Sequence, residues 1–335
     1  MSNKKINIGI NILRMWMAFE VILLHRCSWK GYDGFFFQFL KRCELFSVPV
    51  FMILAFYFSG KAIVDKHENI KDRLIRIIIP QIGWAIICWT IHLFEDIVLA
   101  HKLQHNFMDL IIAILTGSRA NVNPSTWFQM VLLLLTLIYF VIFKLFKKET
   151  AWIITYLTFI FALLVQMNGQ YYYFFTNTTN ELENTIGRIF EIMPFAATGL
   201  FFYHIDIINL LKKKRYLYFG IFLCLFIIGF YIPFPTFEGF FAGLYTIYMG
   251  ICLFIIFALL PLEDVSDNTR NIILNITKYT LGIYCAHRLV YGILDVIYEI
   301  LHISIGSFEK CVILYIACYI MSFIMSKLYM KKLVE

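Results

Sequence analysis

Apolar runs of about 18 residues or more recur along this chain, and a helix of that length is what crosses the hydrocarbon core of a bilayer. Of the 335 residues, 61% are hydrophobic and 15% charged. A soluble domain carries roughly 45–50% apolar and 25% charged residues, so this excess does not fit inside a soluble core. Sustained alternation with period two is missing, which argues against a transmembrane barrel. The expected fold is therefore all-α: a polytopic membrane bundle of about ten transmembrane helices, forming one domain over 1–335 with no separate soluble domain. The spans are expected near 6–26, 44–62, 77–99, 126–146, 151–167, 187–204, 216–234, 240–261, 276–297 and 309–329. The run at 107–117 is too short to cross and is expected either to lie at the interface or to re-enter. No small-x-small cleavage pattern follows the first run, which reads as an uncleaved span and not as a signal peptide.

The net charge of +7 reads as positive-inside topology and not as a nucleic-acid surface. With a cytoplasmic N-terminus, 18 basic residues fall on the cytoplasmic side and eight on the other, so both termini are expected in the cytoplasm. The eight cysteines are scattered, with no CxxC and no metal-ligand spacing, so no metal is expected. They read as small buried apolar residues, with a Cys27–Cys43 bridge across one outer loop as the rival reading.

The chemistry is concentrated where apolar runs carry ionisable groups. The first span reads "LRMWMAFEVILLHR", with Arg14, Glu20 and His25. Arg14 and His25 are eleven residues apart; at about 100° per residue they share a helix face, roughly 16 Å apart along the axis. Charges inside a membrane usually face the bundle interior or a wet cavity; for His25 the competing reading is a residue that snorkels to the interface. Glu20 falls on another face and is a poor partner for His25. The remaining candidates for that partner are Glu95, Asp96, Glu191, Asp295 and His287, with Asp295 alternatively pairing with Arg288. The second span reads "FSVPVFMILAFYFSG", closing on Ser59-Gly60. "RLIRIIIP" then puts Arg73 and Arg76 one turn apart, either as a phosphate clamp or as a topological anchor.

These pieces together resemble acyltransferase family 3, a family of integral membrane acyltransferases. The carriers are Arg14 with His25; Phe56-Tyr57-Phe58-Ser59-Gly60 preceded by "VPVF"; Arg73, Arg76 and Pro80; and Gly282, Ile283, Tyr284 and His287 in "YTLGIYCAHRLV". The fourth span departs from the family: "STWFQMVLLLL" keeps Trp127 and Phe128 but lacks the acidic and histidine positions of many members. The extracytoplasmic esterase-like domain of some members is also missing.

The resemblance implies an enzyme of the cell membrane, multi-pass, using acetyl-CoA or another acyl-CoA as donor and a hydroxyl of a surface or exported polysaccharide as acceptor. Partners are then acyl-CoA, the glycan and the lipid bilayer, and no nucleic acid. The catalytic candidates are His25, Arg14 and His287, with His25 as general base or as an acyl carrier. The donor-binding candidates are Arg14, Arg73, Arg76 and Ser59, with Lys278 nearby in the same basic mouth. The alternative is a transporter or flippase in which Arg14 and His25 bind a polar or lipid-linked solute. The aromatic clusters at 171–175 and 229–241 read as interfacial belts or as a grip on sugar, and Asn177 opens an N-x-T sequon.

Overall fold

The structure is a computed structural model, which describes residues 7–65, 69–97, 106–117, 122, 125–167, 181–232, 240–262, 265–328 and 330–334. The 171–175 cluster, Asn177 and most of the second aromatic cluster lie outside the described residues.

The regular structure of the described residues is all helix, with no strand. Helix α1 spans Ile8–Arg26 and starts on Asn7, whose Oδ1 accepts from the Ile10 amide. The short α2 (Phe35–Cys43) runs through a 3-10 turn into α3 (Ser47–Ile63). Next come α4 (Ile70–Glu95), α5 (Phe107–Thr116), α6 (Trp127–Leu145), α7 (Lys148–Met167), α8 (Glu181–His204) and the short α9 (Ile207–Lys212). The chain continues through α10 (Arg215–Tyr231), α11 (Phe240–Ala258), α12 (Asp267–Thr277), α13 (Thr280–Ile300), α14 (Ser307–Lys327) and α15 (Lys331–Val334).

Eight helical segments among the described residues are long and apolar enough to cross a membrane, and the apolar stretches Arg215–Tyr231 and Gly243–Ala258 are slightly shorter. Every expected span has a helix. One differs in form: the span expected at 276–297 is broken, with α12 ending at Thr277 and α13 starting at Thr280. The Thr280 hydroxyl donates to the Thr277 carbonyl at 2.5 Å and closes the break.

Helix α5 settles a choice that its length left open. Trp89 of α4 donates to the Asn106 carbonyl at 2.9 Å, and Gln81 donates to the carbonyls of Ala113 and Ile114 at 3.2 and 3.4 Å. Trp89 and Gln81 are two turns apart, about 12 Å at 1.5 Å per residue. So α5 runs back along α4 and ends beside its midpoint: it re-enters. The Asn106–Asp109 capping box satisfies its first amides, and Gly117, left-handed at φ 67°, ends it. A Cβ there would strike the Trp127 backbone.

Proline inside α8 has a similar repair. Pro194 lacks the N–H that would bond the Phe190 carbonyl. Gln166 of α7 supplies a donor instead, to Phe190 O at 3.0 Å and Glu191 O at 3.2 Å.

Helices α3 and α8 form the central pair, and glycine sets their distance. Gly199 faces the Ile53 carbonyl and Gly60 faces the Tyr203 ring, so neither site has room for a Cβ. The Tyr203 hydroxyl donates to Asp65, which also pairs with Lys148 at 3.2 Å, tying the ends of α3, α7 and α8 together. The C-terminal α15 folds back into the bundle, where Trp84 donates to the Leu333 carbonyl at 2.9 Å. Cys27 and Cys43 do not bridge: Cys43 is fully buried, while the Cys27 thiol faces Ser307 and Cys311.

Gly199→Ala is expected to destabilise the protein by about 1–3 kcal/mol through overpacking. Gly220→Ala, on α10 with open space around it, is expected to cost nothing. Thermal unfolding of the two variants in detergent checks this, and equal midpoints would mean that α3 and α8 are not in close contact.

Candidate functional site

The last turn of α1 carries His25 and Arg26. Helix α13 brings Tyr284, His287, Arg288 and Tyr291 to the same level, and α14 starts there with Ser307. The Ser307 hydroxyl accepts from the Ser28 amide at 2.7 Å and donates to the Arg26 carbonyl at 3.2 Å, so α14 is fastened to the end of α1.

His287 is fully buried. Its Nδ1 lies 2.6 Å from the Tyr284 carbonyl. A carbonyl only accepts, so Nδ1 carries the proton and Nε2 holds a lone pair. Nε2 is buried and has no hydrogen-bond partner. His25 lies flat on this ring, with centroids 5.5 Å apart and planes at 12°. His25 is exposed on its other side. Arg288 Nη2 donates to His25 Nδ1 at 3.3 Å, across 263 residues of sequence. A guanidinium only donates, so the His25 lone pair sits on Nδ1. The result is a rigid inner imidazole behind an accessible outer one, with a cation at the outer ring's basic nitrogen.

Of the candidate partners of His25, His287 is the one that stacks on it. Glu95 instead holds His92 at 3.0 Å, and Glu191 holds Arg188 at 2.5 Å. Asp295 and Arg288 form no ion pair; Arg288 turns to His25, and Asp295 lies close enough to act on Arg26 and Tyr291. Glu20 is fully buried and accepts from Trp16 at 2.6 Å, away from His25.

The start of α6 walls the site. Phe128 packs on Tyr284 with centroids 5.2 Å apart, and Arg188 lies over the Trp127 ring at 4.9 Å. Gln129, directly after Phe128, is buried and donates to Cys285 Sγ at 2.7 Å. Its Oε1 has no partner. An amide here keeps the position polar without a charge.

At the other end of the bundle, Ser59 and Arg73 converge. The Ser59 hydroxyl and Arg73 Nη2 both donate to the Ala55 carbonyl, at 2.6 and 3.5 Å. Gly60 leaves room there for the Tyr203 ring. Arg76, one turn on, is exposed. Arg14 lies half-buried on α1 between the two ends, and no described residue pairs with it. Arg14 thus comes from α1, and Arg73 and Arg76 from α4. Lys278 stacks on Tyr279 at 4.8 Å, at the α12–α13 break.

The sequence reading gave Arg288 a structural part only and gave Gln129 none. The signal for Arg288 was its place directly after His287; Gln129 gave none beyond being a polar residue at the start of an apolar run.

The family described as "Acyltransferase domain" matches residues 7–327 of the chain. Over 72 residues the chain is 28% identical to the "Nodulation protein NolL" of Mesorhizobium japonicum, which covers 21% of this chain and 19% of that protein. No solved structure matches the chain.

The stacked pair predicts unequal reactivity. Diethyl pyrocarbonate is expected to modify His25 in the folded protein and to reach His287 only after denaturation, as read by peptide mass spectrometry. Equal labelling in the native state would contradict the burial of His287.

Proposed function

Because the chain belongs to acyltransferase family 3, we propose that it moves an acyl group, acetyl foremost, from cytoplasmic acyl-CoA to a hydroxyl of a cell-surface or exported polysaccharide. The observation that carries this reading is the His25–His287 stack with Arg288 on His25 Nδ1. It offers one accessible basic nitrogen whose present partner is held by a single 3.3 Å hydrogen bond.

The donor's phosphates are assigned to Arg73 and Arg76, with Ser59 beside them. Arg14 then meets negative charge further along the same route. A half-buried arginine with no counter-ion in a membrane helix is costly alone, and an anionic ligand relieves that cost. The family resemblance and the cationic groups support this placement together.

In the transfer step the acceptor hydroxyl takes the place of Arg288 at His25 Nδ1. The hydroxyl proton passes to Nδ1 as the oxygen attacks the thioester carbonyl. The tetrahedral intermediate collapses, the C–S bond breaks, and the thiolate leaves with the proton returned from His25. Arg288, released from His25, is one residue from the stack and stabilises negative charge on the carbonyl oxygen. His287 acts as a positioning residue: its Tyr284 hydrogen bond fixes its ring, and its ring face holds His25.

The test uses full-length protein in nanodiscs, with acetyl-CoA binding and thioester turnover measured separately. His25→Ala is expected to keep donor binding and lose about 10²–10⁴-fold in turnover. Arg73→Ala combined with Arg76→Ala is expected to weaken donor binding about tenfold or more, the size of one lost charge-assisted contact. Loss of donor binding in His25→Ala, with the arginine pair silent, would reverse the two roles. If wild type neither binds nor turns over any acyl-CoA, transport of a polar solute becomes the reading to assay.

A further inference from the structure

A cavity of about 180 Å³ lies beside Arg26, between the end of α1, the middle of α13 and the first turns of α14. Arg26, Tyr291, Ser307, Lys310 and Cys311 line it, with aliphatic side chains closing the rest. No acidic side chain is in the lining.

The cations at this cavity differ from the ion-paired ones of the bundle. Arg188 has Glu191 at 2.5 Å and Lys148 has Asp65 at 3.2 Å. Arg26, Arg288 and Lys310 are all half-buried, and none forms an ion pair with a described residue. The nearest acids are otherwise placed. Glu309 is held by the Tyr32 hydroxyl at 2.5 Å, and Asp295 stays outside ion-pair distance of Arg26 while still acting on it. Lys310 rests on the Tyr298 ring at 5.0 Å. Arg26 lies over the Tyr291 ring at 3.2 Å, and its buried Nε has no hydrogen-bond partner. A guanidinium stacked on a ring by its face keeps its in-plane N–H directions for another ligand. Half-buried charges of one sign with no partner are costly unless something neutralises them. The Ser307 clamp on the Arg26 carbonyl holds the wall in place before any ligand arrives.

We propose that this cavity binds an oxyanion of the acceptor, a carboxylate or phosphate on the sugar unit being acylated, and so selects acidic glycans. The position suits that role: Arg26 and Arg288 both lie close enough to His25 to act on its charge, so a sugar anchored by its oxyanion at Arg26 is within reach of His25 with a neighbouring hydroxyl. The proposal rests on the acyltransferase reading for the source of the oxyanion. The cavity's preference for oxyanions over neutral sugars does not depend on it.

Calorimetric titration of the full-length protein in phosphatidylcholine nanodiscs tests this, with glucuronic acid, a hexose phosphate and glucose as probes. Glucuronic acid and the hexose phosphate are expected to bind, and glucose is not. Lys310→Gln and Arg26→Gln are each expected to weaken the acidic probes about ten- to a hundredfold, as the loss of one charge-assisted hydrogen bond does. Lys310→Arg is expected to retain them, and the thermal midpoint of each variant checks that it is folded. Glucose binding as tightly as glucuronic acid, unchanged binding in both Gln variants, or no acidic probe binding at millimolar concentration would each overturn the proposal. Nanodiscs containing phosphatidylglycerol separate the sources. If that lipid displaces glucuronic acid, or if coenzyme A does, the oxyanion belongs to a headgroup or to the donor, and the acceptor assignment falls. Acetyl-CoA binding is titrated in parallel. Acidic probes that bind a protein indifferent to every acyl-CoA would remove the acyltransferase mechanism and leave the cavity; the opposite pattern removes the cavity alone.

Discussion

In hydrocarbon an unpaired amide or charge has no water to turn to, and each one left unsatisfied costs several kcal/mol. The departures from plain helix in this bundle are built around that constraint. Where Pro194 removes an amide, Gln166 reaches across from α7 to the stranded carbonyls. Where α5 stops beside the middle of α4, Gln81 takes up its last carbonyls. Where α12 ends, Thr280 closes onto Thr277. Side-chain amides and hydroxyls in otherwise apolar spans are therefore structural repairs at these places. That makes the buried polar atoms left without a partner, Gln129 Oε1 and His287 Nε2 among them, stand out. Both lie on the α6 and α13 walls of the histidine site.

The charges follow the same division. At the Asp65 end, lysine and tyrosine converge on one carboxylate and lock three helices. Around His25, Arg26 and Lys310 are held by aromatic faces and Arg288 by the imidazole, and no ion pair with a described carboxylate completes these three. Cation–π contact orients a guanidinium at a modest gain without neutralising it. On the proposed reading, a site built this way keeps its positive charge for a substrate that brings the negative one. Tight protein ion pairs in the same place would have removed that selectivity.

Much of this fold was legible in the sequence because span length is fixed by bilayer thickness, and apolar runs record it directly. The spacing of Arg14 and His25 likewise reads as one helix face, since helical geometry is local. The neighbours of that face are not local. His287 and Arg288 come from the far end of the chain, and no periodicity says which of five acid or histidine candidates meets His25. The break at Lys278–Tyr279 was illegible for a different reason: it uses neither glycine nor proline. The 107–117 run was recognised as too short to span, but its re-entry depends on Gln81 and Trp89, which look like ordinary members of another helix. The Cys27–Cys43 pairing failed because adjacency across a loop says nothing about which way α1 and α2 rotate their side chains.

The two histidines also illustrate why burial and accessibility divide a site's work. His287 has its proton fixed by a backbone carbonyl and its ring enclosed, so it cannot exchange partners without moving α13. His25 has an open face and one long hydrogen bond, so its partner can leave. A ring that must accept and return a proton in one turnover needs that freedom, and a ring that must hold its neighbour to within a few tenths of an ångström needs the opposite. Arg288 links the two conditions. It follows His287 in the chain, so the rigidity of α13 fixes where its guanidinium starts. In the proposed transfer step its long side chain lets it give up Nδ1 when a hydroxyl arrives. The motif around His287 thus carries both the fixed and the movable part of the site on consecutive residues. This accounts for a polar pair deep in a helix that would otherwise gain by being apolar.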